Sequence, residues 1–131
     1  MGETAGMSSE LYRRSVDAFN RRDWEAFVAF MHEDIEVESR LVHMEGAYHG
    51  HEGLRRWWDD FLGTIPDYVL ELGDVRDLND RFSVARARGL ANETPLIDAI
   101  WQPCEWRKSK CVWWRICLSE AEALEAVESR R

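Results

Sequence analysis

The hydrophobic pattern of this chain changes period twice. Leu11, Tyr12, Ser15, Val16 and Phe19 fall at i, i+1, i+4, i+5 and i+8. That is one face of a helix, and Ser8 or Ser9 stands ready to cap it. Asn20 to Arg22 breaks the stripe. Asp23 then caps a second, short helix carrying Trp24, Phe27, Val28, Phe30 and Met31. "DIEVES" alternates, with Ile35 and Val37 on one face and Glu36 and Glu38 on the other, which predicts a half-buried strand. "LVHMEGAYHG" predicts a turn and a short strand around Ala47 to His49. Leu54, Trp57, Trp58, Phe61 and Leu62 then match i, i+3, i+4, i+7 and i+8, a third helix stopped by Gly63 and Pro66.

From Tyr68 onward the chain turns to strands. "YVLELGDV" and "RFSVARARG" flank a turn at Leu78 to Asp80, and "PLIDAIWQPCEW" and "CVWWRICL" flank a tight turn near Lys108-Ser109. Ser119 and Glu122 form a capping box that opens a short terminal helix. Helices followed by a run of strands predict an α+β domain with an antiparallel sheet. A two-residue turn at Lys108-Ser109 places Trp106 opposite Cys111, Cys104 opposite Trp113 and Gln102 opposite Arg115. The other face then carries Trp101, Trp114 and Ile116. One apolar face packs on the helices. The second calls for another copy of the chain, so a homodimer through Trp101, Trp114 and Ile116 is expected.

Composition narrows the class. With 131 residues the chain suits one core; residues 1–7 read as a disordered tail and 8–128 as a single domain. Seven tryptophans predict a wide core or an aromatic-lined cavity. A net charge of −8 argues against nucleic acid as a partner. No apolar run reaches the ~18 residues of a membrane span, and "MGETAGMSSE" has no secretory character. Cys104, Cys111 and Cys117 lack the paired spacing of a zinc site and read as buried, reduced thiols of a cytoplasmic protein. No metal and no cofactor is expected.

Three stretches in this order, "DAFNRRDWEAFVAFMHEDIEVE", "YHGHEGLRRWWDDF" and "AEALEAV", resemble the SnoaL-like branch of the nuclear transport factor 2-like superfamily. The resemblance covers roughly residues 8 to 128. It implies a cone: a curved, mostly antiparallel sheet wrapped around three N-terminal helices with an internal pocket. It also implies dimers through the outer sheet face. Superfamily members include steroid isomerases, polyketide cyclases, dehydratases, epoxide hydrolases and non-catalytic binding domains, so fold does not settle function.

The residues that carry isomerase or cyclase chemistry in such proteins are missing by the same resemblance. The base at the end of the first strand falls on Ser39, the acid of the penultimate strand on Gln102, and the tyrosine of the first helix on Ser15, with Tyr12 one turn away. An amide hydrogen-bonds but does not transfer protons. Glu38 is adjacent to Ser39 but points to the opposite face of its strand. "YHGHEG" reads as a strand-to-helix junction, with His49 and His51 on different elements. The expected ligand contacts are Tyr12, Trp57, Trp58, Phe61, Gln102 and Arg115, around a small hydrophobic molecule. His43, Tyr48 and Asp98 are the candidates for catalytic groups. Two readings follow: a small-molecule-binding domain without the known acid–base residues, or an isomerase, cyclase or dehydratase of a hydrophobic carbonyl compound that uses nonstandard ones.

Overall fold

The computed structural model describes residues 2–38 and 48–131, with side chains for 8–38, 48–96 and 99–131. The order is α1 (Gly2–Asn20), α2 (Trp24–Val28), β1 (Met31–Glu38), β2 (Tyr48–His49), α3 (Gly50–Thr64), β3 (Tyr68–Asp77), β4 (Phe82–Ala91), β5 (Thr94–Arg107), β6 (Lys110–Arg115) and α4 (Glu120–Arg130). α1 starts at Gly2, upstream of the serine cap suggested by the sequence. Met31, counted with the second helix in the sequence pattern, opens β1 instead.

The helices form where the apolar stripes predict. α1 buries Tyr12, Ser15, Val16 and Phe19. Asp23 accepts a hydrogen bond from the Ala26 amide and so caps α2. α3 buries Leu54, Trp57, Trp58 and Phe61, each worth roughly 1.5–3 kcal/mol of apolar burial. Gly50 opens α3 at φ +74°, a conformation that makes glycine the natural residue between the two histidines.

The six strands form one sheet in the order β2-β1-β6-β5-β4-β3. β1 runs parallel to β6 and every other pair is antiparallel. β5 and β6 are joined through Lys108 and Ser109, both at positive φ, as are Asn92 and Glu93 between β4 and β5. Such two-residue turns match the twist of the flanking strands. Register shifts in β3–β4, β4–β5 and β5–β6 bend the sheet. The larger core lies between the concave face and α1–α3.

One of those shifts reverses an expectation. Trp106 pairs with Cys111 as predicted, but Glu105 then pairs with Trp113 and Cys104 with Trp114. Val112 is the extra residue. A one-residue slip moves every later side chain to the other face. Trp114 and Ile116 therefore join the inner core, and Trp113 and Cys117 the outer one. The interface drawn from Trp101, Trp114 and Ile116 is not a surface, because only Trp101 of the three packs on the outer side. α4 covers that side with Ala123, Ala126 and Val127, which pack with Phe82, Val84 and Trp113.

A buried carboxylate ties α4 down. The Glu105 side chain is 3% exposed. It accepts from Arg81 at 2.7 Å and from Arg130, in the last turn of α4, at 2.9 Å. Burial pushes its pKa up, but these arginines outweigh the effect and hold the carboxyl below its ordinary range. Arg130 also lies over the Trp113 ring at 4.6 Å.

Candidate functional site

The concave face and the three N-terminal helices line a partly open cavity of about 50 Å³. Phe19, Phe27, Trp57 and Phe61 form its helical wall, and Tyr68, Trp106 and Trp114 face them from the sheet. Alternation along β5 puts Gln102, Cys104 and Trp106 on the same inward face. Met31 of β1 and Cys111 of β6 are Cα partners and both reach the cavity.

The aromatic wall is built by edge and face contacts. Trp57 stacks on Phe61 with centroids 5.7 Å apart at 8° and meets Trp114 edge-on at 4.9 Å and 79°. Phe61 meets Tyr68 at 4.6 Å and 80°. Trp106 is oriented from behind, its indole N–H donating to Ser83 Oγ at 2.9 Å. Such pairs add to stability beyond area burial.

The polar contribution is small and locked. Tyr12 Oη donates to Gln102 Oε1 at 2.7 Å, both groups being buried. Ser15 Oγ donates back to the Tyr12 carbonyl at 2.8 Å, an i−3 bond within the helix. Burial pushes the Tyr12 phenol well above its usual pKa, and the Tyr68 phenol up to about 12. The Cys104 thiol is raised by burial and then by its hydrogen bond with Cys111. These groups are neutral at pH 7. Among the described residues, no Asp, Glu, Lys, Arg or His lines the cavity.

Four of the six expected contact residues meet there: Tyr12, Trp57, Phe61 and Gln102. Trp58 does not. It is buried behind the wall, 5.5 Å from Phe19, 5.2 Å from Trp24 and 5.1 Å from Phe27. Arg115 does not either. The register slip turns it outward, where it pairs with Glu38 at 3.6 Å and Glu122 at 3.5 Å. The expected Gln102–Arg115 pair is absent, and Tyr12 takes the place of the arginine.

Of the candidate catalytic groups, Tyr48 is buried in β2 opposite Val37 and belongs to the core rather than to the cavity lining. His43 lies outside the described residues, as does Ser39. The Asp98 backbone is in β5, but its side chain lies outside the described residues. His49 is exposed on β2, and His51 Nε2 lies 3.0 Å from the Met31 carbonyl. Among the described residues no three His, Cys, Asp or Glu side chains cluster as a metal site would require.

Sequence reasoning missed Trp106, Trp114, Ile116 and Tyr68 as cavity residues. Trp106 shares its parity with Gln102, so simple alternation was enough to find it. Trp114 and Ile116 depend on the bulge, which has no signal of its own.

A curved sheet that closes on three helices around an apolar cavity defines a small α+β pocket domain. The SnoaL-like domain profile matches residues 12–97, and the chain belongs to that family. Among solved structures, it is similar to TerC co-crystallised with polyporic acid, at 16% identity over 93% of this chain and 98% of that one, with a TM-score of 0.75. Bal32a, from a soil-derived mobile gene cassette, is similar at 16% identity over 94% and 97%, with a TM-score of 0.73. A SnoaL-like protein of unknown function from Burkholderia thailandensis E264 is similar at 18% identity over 85% and 92%, with a TM-score of 0.69. At these identities the likeness concerns the fold. No curated protein matches the sequence.

Proposed function

We propose that this protein is a binding domain for a small, neutral, largely apolar molecule held in the cavity between α1, α3 and the sheet. One observation carries the reading: the described walls offer aromatic surface and a Tyr12–Gln102 side-chain hydrogen bond, with no Asp, Glu, Lys, Arg or His among them. General acid–base catalysis needs a group whose pKa lies near the working pH, and burial moves Tyr12, Tyr68 and Cys104 the wrong way. The space open to the centre of a water molecule is about 50 Å³, a small cavity that suits a fragment rather than a drug-sized ligand.

Native mass spectrometry of protein purified from its source tests the proposal. A retained small molecule, lost in Gln102→Leu, is the expected result. Isomerase turnover of an unconjugated enone by the unmodified protein would refute it and favour the enzymatic alternative.

Two further expectations are carried as proposals. Three buried cysteines, Cys104, Cys111 and Cys117, fit a reducing, cytoplasmic setting. Homodimerisation is proposed to use Trp101 and Leu118: Cys117 bridges to Trp101, and its neighbour Leu118 is 57% exposed. Sedimentation at micromolar concentration, with Leu118→Glu as the variant, tests this. A monomer in both proteins rejects it.

A further inference from the structure

The aromatic wall accounts for an apolar ligand and leaves the sulfur atoms of the cavity without a role. Three sulfur-bearing residues line it: Met31, Cys104 and Cys111. They come from β1, β5 and β6, and the sheet order β1-β6-β5 sets these strands side by side. Met31 and Cys111 are Cα partners across β1 and β6, and both belong to the inner core. The Cys104 and Cys111 thiols hydrogen-bond to each other. Cys117, by contrast, lies in the outer core.

The other bonds of these thiols are weak. Cys111 Sγ donates to the Trp113 carbonyl at 3.3 Å, and Cys104 Sγ reaches the Gln102 carbonyl only at 4.0 Å. A thiol is a weak donor and a thioether a weak acceptor. Each sulfur therefore keeps lone pairs that hydrogen bonding does not engage.

Donor type and charge together define what such a group binds. Thiolate and thioether donors select soft ions, Cu(I) among them. Structural zinc takes four ligands, and three sulfur residues meet here. The described walls carry no Asp, Glu, Lys, Arg or His to balance an ion, and an unbalanced charge is costly to bury. A monovalent ion needs a single thiolate for neutrality. One thiol loses its proton to solvent, a metal–sulfur bond replaces the H–S bond, and the other thiol and the thioether bind as neutral donors.

We infer that Met31, Cys104 and Cys111 form a binding site for a soft monovalent metal ion, Cu(I), on the inner face of β1, β6 and β5. A search of His, Cys, Asp and Glu alone passes over it, because methionine supplies the third donor. Cysteine spacing along the chain does not reveal it either, because three separate strands bring the donors together. The site stands apart from the apolar-ligand reading and does not depend on it.

The reduced full chain is titrated anaerobically with Cu(I) supplied as its bicinchoninate complex, whose colour fades as the protein takes the ion. One equivalent is expected to bind. Cys104→Ser and Cys111→Ser should each weaken binding by more than the ~10–100-fold that loss of an outer-shell partner costs. Met31→Leu, similar in size but without sulfur, should weaken it about tenfold, because a neutral donor is lost. Cys117→Ser should bind as the wild type does. No transfer from the chelator, or wild-type affinity in any of the three cavity variants, would overturn the inference and leave the apolar-ligand reading untouched. Should a serine variant fail to fold, copper-edge X-ray absorption of the wild-type complex decides. Three sulfur neighbours are expected, and nitrogen or oxygen in their place overturns the site.

Discussion

Replacing Glu105 with Gln keeps the side-chain volume and removes the charge that fastens α4. In the wild type one carboxylate receives Arg130 on Oε1 at 2.9 Å and Arg81 on Oε2 at 2.7 Å, with Arg107 at 3.9 Å. A charged hydrogen bond is worth ~1.5–3 kcal/mol when well shielded. Shielding is uneven here: the carboxylate is 3% exposed, but Arg81 is 54% and Arg130 29% exposed, and solvent discounts exposed partners. Gln retains one acceptor oxygen, so one charged bond is lost and the other weakened. The expected cost is ~1–2 kcal/mol, or roughly 3–8 °C in Tm for a chain of this size. The sign of the pH dependence follows from a carboxyl held below its ordinary pKa. Its stabilisation is complete above the unfolded value, ~4.3 for Glu, and disappears as pH falls through the lower folded value. Thermal unfolding followed by far-UV circular dichroism at pH 7, 5 and 3 is the assay. The gap between wild type and Glu105→Gln should be full at pH 7, nearly full at pH 5, and reduced at pH 3. Equal Tm values at pH 7, or a gap that widens on acidification, would refute the reasoning.

Trp114→Ala should cost ~3–5 kcal/mol, the range for large-to-small changes in a packed core, measured as a shift in the urea midpoint. An effect below ~1 kcal/mol would mean that Trp114 faces outward after all. Tyr12→Phe removes the donor to Gln102 Oε1 and strands a buried acceptor, an expected loss of ~1–3 kcal/mol. In a double-mutant cycle with Gln102→Leu the loss in the double variant should fall short of the sum of the two single losses, and strict additivity would show that the pair is uncoupled.

How much of this was legible in the sequence varies with the kind of signal. The helices were, because Trp57, Trp58 and Phe61 recur at a period that only a helix places on one face. Asp23 and Ser119 were read as caps from their positions, and both accept the expected amide, at Ala26 and Glu122 respectively. Ile35 and Val37 turn inward as alternation demands, while Glu36 and Glu38 turn out to Arg130 and Arg115. The register of the last hairpin was not legible. Alternation fixes a strand's face only when polar and apolar residues differ across it, and "CVWW" is apolar at every position. Either register buries a tryptophan on each side, so the pattern carried no information about the bulge at Val112. The covering of the outer face was hidden for a related reason: α4 has a weak apolar stripe of Ala123, Ala126 and Val127, small residues that sit close against Trp113.

The same slip decides the chemistry of the cavity. In the uninterrupted register Arg115 shares a face with Gln102, and the pocket floor holds a guanidinium able to bind an anion or to lower the pKa of a carboxylate. With Val112 bulged out, the guanidinium is outside against Glu38 and Glu122, and Trp114 takes the inner position against Trp57. A charged floor becomes an aromatic one. Tyr12 then has to satisfy Gln102 on its own, and it does so as a donor that burial keeps protonated. The neutrality of the described walls follows from one extra residue in one strand. It leaves the described walls with no carboxylate, imidazole, ammonium or guanidinium group beside the Tyr12–Gln102 pair.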